Sequence, residues 1–254
     1  MTWDPKTYLA FEEERTRAAH DLLARTPGER PQSVVDLGCG PGNSTALLRA
    51  RWPGASIVGV DLSEEMLKAA RQSGVDARWE RADIESWKPE EPIDILYSNA
   101  ALQWTGAHET LFPRLLSFLA PGGVLAVQMP DSYFGPARDV VAELVREEWS
   151  ADLSSAPTRP PVAAPEAYFD WLAPDATAVD IWRTAYQHVF RQPDAVFHWV
   201  KGAALTPHLK RLDGAERIRF EEEARRRFAA AFPPRPTGEV LFEFHRIFIV
   251  ATAA

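Results

Sequence analysis

The chain has 254 residues, 46 % of them hydrophobic and nine of them tryptophan, which is enough for one domain or for one domain with a large insertion. Its 28 basic and 36 acidic residues leave a formal net charge of −8, against nucleic acid as a substrate, since phosphate binding needs a basic face. One cysteine, Cys39, excludes an internal disulfide and any multi-cysteine metal site. No apolar run reaches membrane-span length and the opening MTWDPKTYLAFEEER has no signal-peptide pattern, so a cytoplasmic monomer with neither membrane nor nucleic-acid partners is expected.

Residues 9–25 read as a helix, with Leu9, Phe11, Ala18, Leu22 and Leu23 as its apolar positions and Pro27-Gly28 as its stop. Strands and helices then alternate. Strands are expected near 33–37, 56–61, 76–82, 93–99 and 122–129, and helices near 43–52, 63–73, 107–119 and 135–149. Such alternation implies a parallel sheet covered by helices on both faces. The rhythm breaks after Trp149, and four prolines between Pro157 and Pro165 predict a loop leading into an insertion. A strand near 179–189, helices near 194–204 and 214–231, and a last strand near 239–251 complete the chain, giving seven strands. Glu221-Glu222-Glu223 ahead of Arg225-Arg226-Arg227 reads as paired charge on a solvated helix face. The expected organisation is a single domain over 1–254: an N-terminal helical cover (1–30), a core (31–150), a proline-rich connection and insertion (151–178), and C-terminal strands with inserted helices (179–254).

The richest stretch is Asp36-Leu37-Gly38-Cys39-Gly40-Pro41-Gly42-Asn43, a strand end, a glycine turn and a helix start. Glycine lets backbone donors approach a ligand, and a helix N-terminus adds unsatisfied N–H groups. A dinucleotide fingerprint would put its third glycine one place later; here Asn43 stands there, which disfavours an oxidoreductase. The resulting D-x-G-x-G-x-G pattern resembles the signature of S-adenosylmethionine-dependent methyltransferases. Asp36 is expected beneath the turn, holding it through backbone donors. Cys39 serves there as a small side chain.

Two further acids fall at strand ends. Asp61 closes the second strand 23 residues after Gly38. An ionised carboxylate accepts only, so it suits the two hydroxyls of a ribose. Leu62 and Met66 are expected against an adenine face, with Ser63 capping the next helix. Asp83, beside Ile84, is placed to accept from an adenine amino group. A helix cap for Asp61 and a turn role for Asp83 are the alternatives for each residue alone. Asn99 and Ala100, ending the fourth strand, are expected at the cofactor's methionine end.

Beyond the glycine turn the chain resembles the trans-aconitate 2-methyltransferase family. The resemblance runs through Trp3-Asp4-Pro5 with Tyr8 and Phe11, DLGCGPGNSTALL at 36–48, Asn99-Ala100-Ala101-Leu102-Gln103-Trp104, Val124 to Asp131, Val179 to Thr184, and Phe248 to Ala251. It implies an α/β fold: a seven-stranded, mostly parallel, Rossmann-like class I methyltransferase sheet with an antiparallel last strand and a helical insertion or cover. It also implies methyl transfer from S-adenosyl-L-methionine to a carboxylate of a small polycarboxylic acid, trans-aconitate, giving a monomethyl ester and S-adenosyl-L-homocysteine without a metal. Such a carboxylate is ionised at neutral pH, so no catalytic acid or base is assigned.

Strand-end geometry nominates Tyr8, Gln103, Trp104, Tyr133, Tyr186, His188, Trp199 and Lys201 as substrate-binding residues. Core packing is the alternative for Trp104 and Trp199, a structural histidine for His188 and a solvated charge for Lys201. Arg183 is a chemically apt carboxylate partner or equally a structural ion pair. Where the resemblance leads to a Gly-Leu-Arg-Pro-like turn, this chain has Ala204-Leu205-Thr206-Pro207. Two other functions keep the same cofactor: carboxyl methylation of a malonyl group on a carrier protein, and a module that binds S-adenosylmethionine without turnover.

Overall fold

A computed structural model describes residues 12–131, 135–149, 153, 162–192 and 194–254. The chain forms two compact units, the first comprising Met1–Pro130, Val162–Arg183 and Arg246–Ala254, the second Asp131–Pro161 and Thr184–His245.

In the first unit, α1 (Glu12–Arg25) precedes β1 (Ser33–Leu37), α2 (Asn43–Arg51), β2 (Ser56–Asp61), α3 (Glu64–Gln72) and β3 (Arg78–Arg81). β4 (Ile93–Asn99), α4 (His108–Leu116) and β5 (Leu119–Pro130) follow. The runs Val34-Val35 and Ile93 to Tyr97 are rich in residues that suit a sheet covered on both faces, and most of them are buried. β1 pairs in parallel with β2 and β4, β2 with β3, and β4 with β5. β7 (Val240–Ala253) lies antiparallel to β5, from Val124 against Thr252 to Pro130 against Arg246. With β6 (Ala176–Phe190) the order is β3-β2-β1-β4-β5-β7-β6, the expected mostly parallel seven-stranded sheet with an antiparallel last strand. Chain order reverses between β1 and β4, the switch point at which open α/β sheets bind ligands.

Several boundaries differ from expectation for local reasons. β5 begins at Leu119, because Leu119 pairs with Ile93 across a register shift and Gly122 (φ 77°) carries the apparent Pro-Gly-Gly turn within the strand. Proline took Pro165 into the expected loop, yet it is the first residue of a helix, α6 (Pro165–Leu172), a position where the missing N–H costs nothing. The rest of that proline run, through Pro161, lies outside the described residues, as do residues 9–11 of the expected first helix. The helix near 194–204 is shorter, α7 (Ala195–Val200), and passes through a π-helical turn, Lys201–Leu205, into α8 (Thr206–Leu209).

The second unit contains α5 (Pro136–Glu148), α7, α8, α9 (Gly214–Ala231) and the segments of β6 and β7 from Thr184 and up to His245. Its interior is aromatic. His188 lies 5.1 Å from Trp199 and 6.0 Å from Tyr186, ring to ring, and Trp199 lies 5.4 Å from Phe244. Trp149 packs edge-on against Phe220 at 5.1 Å, where α5 meets α9. Among the described residues no helix is long and apolar enough to cross a membrane.

Candidate functional site

The glycine turn leaves β1 through three positive-φ residues, Gly38 (80°), Gly40 (55°) and Gly42 (95°). Gly38 and Cys39 donate to the Val60 carbonyl of β2 at 2.7 and 3.0 Å. A Cβ on Gly38 would lie 2.1 Å from the Cβ of Ala101, so only glycine lets these two loops meet. Gly42 brings the turn close to α3 and β3 instead. A Cβ there would come within 3.1 Å of Trp79 and 3.6 Å of the Ala70 backbone.

Asp36 is fully buried beneath the turn, as expected, but its contacts differ. Oδ2 accepts from the hydroxyls of Ser44 and Thr45 in α2, at 2.7 and 2.6 Å, and Oδ1 has no partner. The turn is therefore tied down by α2 side chains rather than by backbone donors, because Asp36 faces the first turn of the helix. Burial raises its carboxyl to about 6, against the lowering effect of the two hydroxyls. Burial likewise pushes the Cys39 thiol up, helped by Asp36 and Asp61, which fits a packing role.

A cavity of about 900 Å³ opens at the ends of β1, β2 and β4, within the range of small-molecule sites. Of the cofactor residues expected from sequence, Gly38, Cys39, Gly40, Asn43, Asp61, Leu62, Met66, Asp83, Ile84, Asn99 and Ala100 line it. Asp36 and Gly42 do not; they support the wall from behind. Asp61 accepts from Gly40 N–H (2.9 Å) and Ser63 N–H (2.8 Å). Its carboxyl is raised by burial, against the opposing backbone donors of Ser63, Gly40 and Leu62. Those bonds fix both oxygens while leaving each a further lone pair. Leu62 is half exposed within the cavity and Met66 is buried beside it. β3 stops at Arg81, two residues before Asp83, whose Oδ1 accepts Glu85 N–H at 2.9 Å. Asp83 is thus a turn residue and a cavity residue together.

Asn99 Oδ1 is buried with no partner, an acceptor suited to an ammonium group. Ala100 follows at φ 55°, its N–H donating to the Gln128 carbonyl at 2.9 Å. Together these features fit S-adenosylmethionine: paired acceptor oxygens for a diol, apolar Leu62 and Met66 for a base, and an orphaned acceptor for the amino-acid end. Among the described residues no group of His, Cys, Asp and Glu is arranged to hold a metal ion.

On the substrate side, Trp104 lines the cavity. Gln103 does not; it is buried and its Nε2 donates to the Ala100 carbonyl at 2.6 Å. Tyr186, His188 and Trp199 are buried in the aromatic interior of the second unit, and Lys201 Nζ lies 2.6 Å from Glu221. Arg183 stands exposed on β6 and has a partner of its own. Thr206, at the departure from the family turn, donates its hydroxyl to the Lys201 carbonyl. Tyr8 and Tyr133 fall outside the described residues. Sequence reasoning missed Thr16 and Ala19 of α1, and Ala101, Thr105, Arg81 and Glu85, all in the lining. Ala101 lies within the recognisable Asn99–Trp104 run and Thr105 follows it; α1 buries Ala18, Ala19, Leu22 and Leu23 as an ordinary amphipathic helix does, and nothing in that pattern marks Thr16.

A methyltransferase-domain family profile matches residues 34–123, which hold β1 to β4 and the whole cavity wall beyond α1. The sheet resembles that of the YcgJ protein from Bacillus subtilis, with a TM-score of 0.60 at 15 % identity over 93 % of this chain and 98 % of the other. It also resembles Haemonchus contortus phosphoethanolamine N-methyltransferase 2, crystallised with phosphomonomethylethanolamine and S-adenosylhomocysteine (TM-score 0.57, 15 % identity, 93 % of this chain, 52 % of the other). With the glycine turn and the Asp61 strand end, this sheet defines a class I, S-adenosylmethionine-dependent methyltransferase. Whole-length relatives narrow the class. A trans-aconitate 2-methyltransferase of Azoarcus sp. is 46 % identical over 98 % of both chains, and one of Escherichia coli is 43 % identical over 98 % of this chain and 97 % of its own. The chain belongs to the trans-aconitate 2-methyltransferase family.

Proposed function

We propose that this protein transfers a methyl group from S-adenosylmethionine to one carboxylate of trans-aconitate in the cytoplasm, giving the monomethyl ester. The observation that carries the substrate is the likeness to relatives of that name at 43–46 % identity over nearly the full length of both chains. In this reading Asp61 holds the ribose hydroxyls, Leu62 and Met66 the adenine face, Asp83 the adenine amino group and Asn99 the ammonium. Trp104, in the same lining, stands on the acceptor side.

The bound cofactor supplies an electrophilic methyl group on a sulfonium. The attacking carboxylate is already ionised near pH 7, so the chain has no proton to remove. Its work is orientation and exclusion of water, and orientation alone is worth roughly 7–11 kcal/mol. The rigid features of the cavity wall serve that end: Gly38 against Ala101, Asp61 fixed by two backbone donors, Ala100 held at φ 55°.

The test is labelled methyl transfer to trans-aconitate, its cis isomer and carrier-linked malonyl groups, with base-labile product as the mark of an ester. Both aconitate isomers carry the same charge, so a pocket that reads shape should methylate the trans isomer with the much larger specificity constant. Equal constants would refute shape reading. Turnover of the malonyl carrier alone would refute the substrate.

A further inference from the structure

We propose that Gln103 is a positioning residue, which sets the cofactor wall by holding the Ala100 peptide in its left-handed conformation. The inference rests on reading the cavity as the cofactor site. Sequence placed Gln103 against substrate, but its side chain is 3 % exposed, absent from the cavity lining, and donates from Nε2 to the Ala100 carbonyl at 2.6 Å.

Ala100 needs such a holder. Its φ of 55° is a conformation in which an L residue crowds its Cβ against the backbone. The residue is where the chain turns out of β4: Ala100 N–H still belongs to the sheet, through the Gln128 carbonyl, and Ala101 already packs on Gly38. The turn leaves the half-buried Ala100 carbonyl outside the strand ladder, so its partner must come from elsewhere. Gln103 supplies that donor from three residues on. It sits in the short helical turn Leu102–Trp104, which is itself anchored because Leu102 O accepts from Thr105 Oγ1 (2.7 Å) and His108 Nε2 (2.9 Å). One amide therefore ties the strained wall residue to the turn that carries Trp104. Asn99, Ala100, Ala101 and Trp104, all lining the cavity, take their positions from it.

The experiment is calorimetric titration with S-adenosylhomocysteine of wild type, Gln103→Met, Ala100→Gly and the double variant. Gln103→Met fills similar space without a donor, so Ala100 should relax out of its strained left-handed conformation and binding should weaken about tenfold or more. Glycine at 100 accepts the left-handed conformation without a holder, so the double variant should recover at least half of that loss on a logarithmic scale. A merely structural role for Gln103 would not be rescued by removing a methyl group at Ala100. Gln103→Met binding within about twofold of wild type, or a double variant no tighter than the single, would overturn the proposal. Should Gln103→Met not fold, Gln103→Glu is read instead. It keeps the shape and donates only when protonated, so its affinity should fall with rising pH relative to wild type; parallel pH profiles would overturn the proposal. Failure of wild type to bind would break the cofactor-site reading itself, whereas tight wild-type binding with indifferent variants would break only this inference.

Discussion

At the ends of β1, β2 and β4 the chain builds with backbone, whereas in the second unit it builds with side chains. The first region depends on three left-handed glycines, one left-handed alanine, and peptide N–H groups aimed at Asp61. The second depends on rings around His188 and on Arg227, which reaches Glu223 in α9 and Glu147 and Glu148 in the last turn of α5. A backbone site tolerates few residues at each position, because φ and close approach leave no room for adjustment. A side-chain interior tolerates many, because volume and charge can be met in several ways.

Two glycines with positive φ separate these regions most sharply. Gly38→Ala must drive a Cβ into Ala101 and should cost about 3 kcal/mol or more. Gly214→Ala, at φ 48° in the second unit with nothing within 4 Å of the added Cβ, should cost only about 1 kcal/mol. Thermal unfolding of both variants measures the difference, and equal costs would erase the distinction.

A smaller effect separates the regions by pH. Burial raises Asp36 to about 6 from 3.8. The folded state thus binds its proton more tightly than the unfolded state, and the stability this contributes is present below pH 3.8 and lost as pH rises through about 6. The gap corresponds to roughly 3 kcal/mol. Asp36→Asn keeps an acceptor for Ser44 and Thr45 without the buried charge, so its stability relative to wild type should grow between pH 3.8 and about 6 and level off above that. Unfolding curves across that range check this, and a constant difference would contradict it.

The smallest effect belongs to the second unit. Arg226 and Arg227 hold the Glu223 carboxyl down to about 2, but much of this network is open to solvent, where ion pairs contribute little. Arg227→Met should lower stability by about 1 kcal/mol in urea unfolding at neutral pH, and high salt should shrink the loss.

This contrast also explains what the sequence made legible. The alternation of apolar runs led to the sheet, and the glycine spacing with the acids at positions 36, 61 and 83 led to the cavity wall at the ends of β1 and β2, because each is a backbone requirement written at a fixed spacing. The motif places Asp36 beneath the turn but not its contacts: nothing in it says whether a buried acid faces amides or the Ser44 and Thr45 hydroxyls. Gln103 reads as a polar residue free to meet substrate, since a short helical turn that folds its amide back onto Ala100 has no periodicity to announce it. α6 was hidden because proline reads as a breaker, although it is equally at home as the first residue of a helix. Tyr186, His188 and Trp199 show the limit on the other side. Ring-bearing residues such as Tyr186 and His188 at alternate positions of β6, or Trp199 on the short helix α7, look the same whether they face a ligand or, as here, one another.

Whether the cavity at the end of β2 is a nucleoside site headed by Asp61 is decided by calorimetric titration of wild type and Asp61→Ala with S-adenosylhomocysteine. Loss of hydrogen bonds to a charged acceptor, worth about 1.5–3 kcal/mol, should weaken the variant at least about tenfold. An Asp61→Ala protein that binds S-adenosylhomocysteine as tightly as wild type would contradict the account.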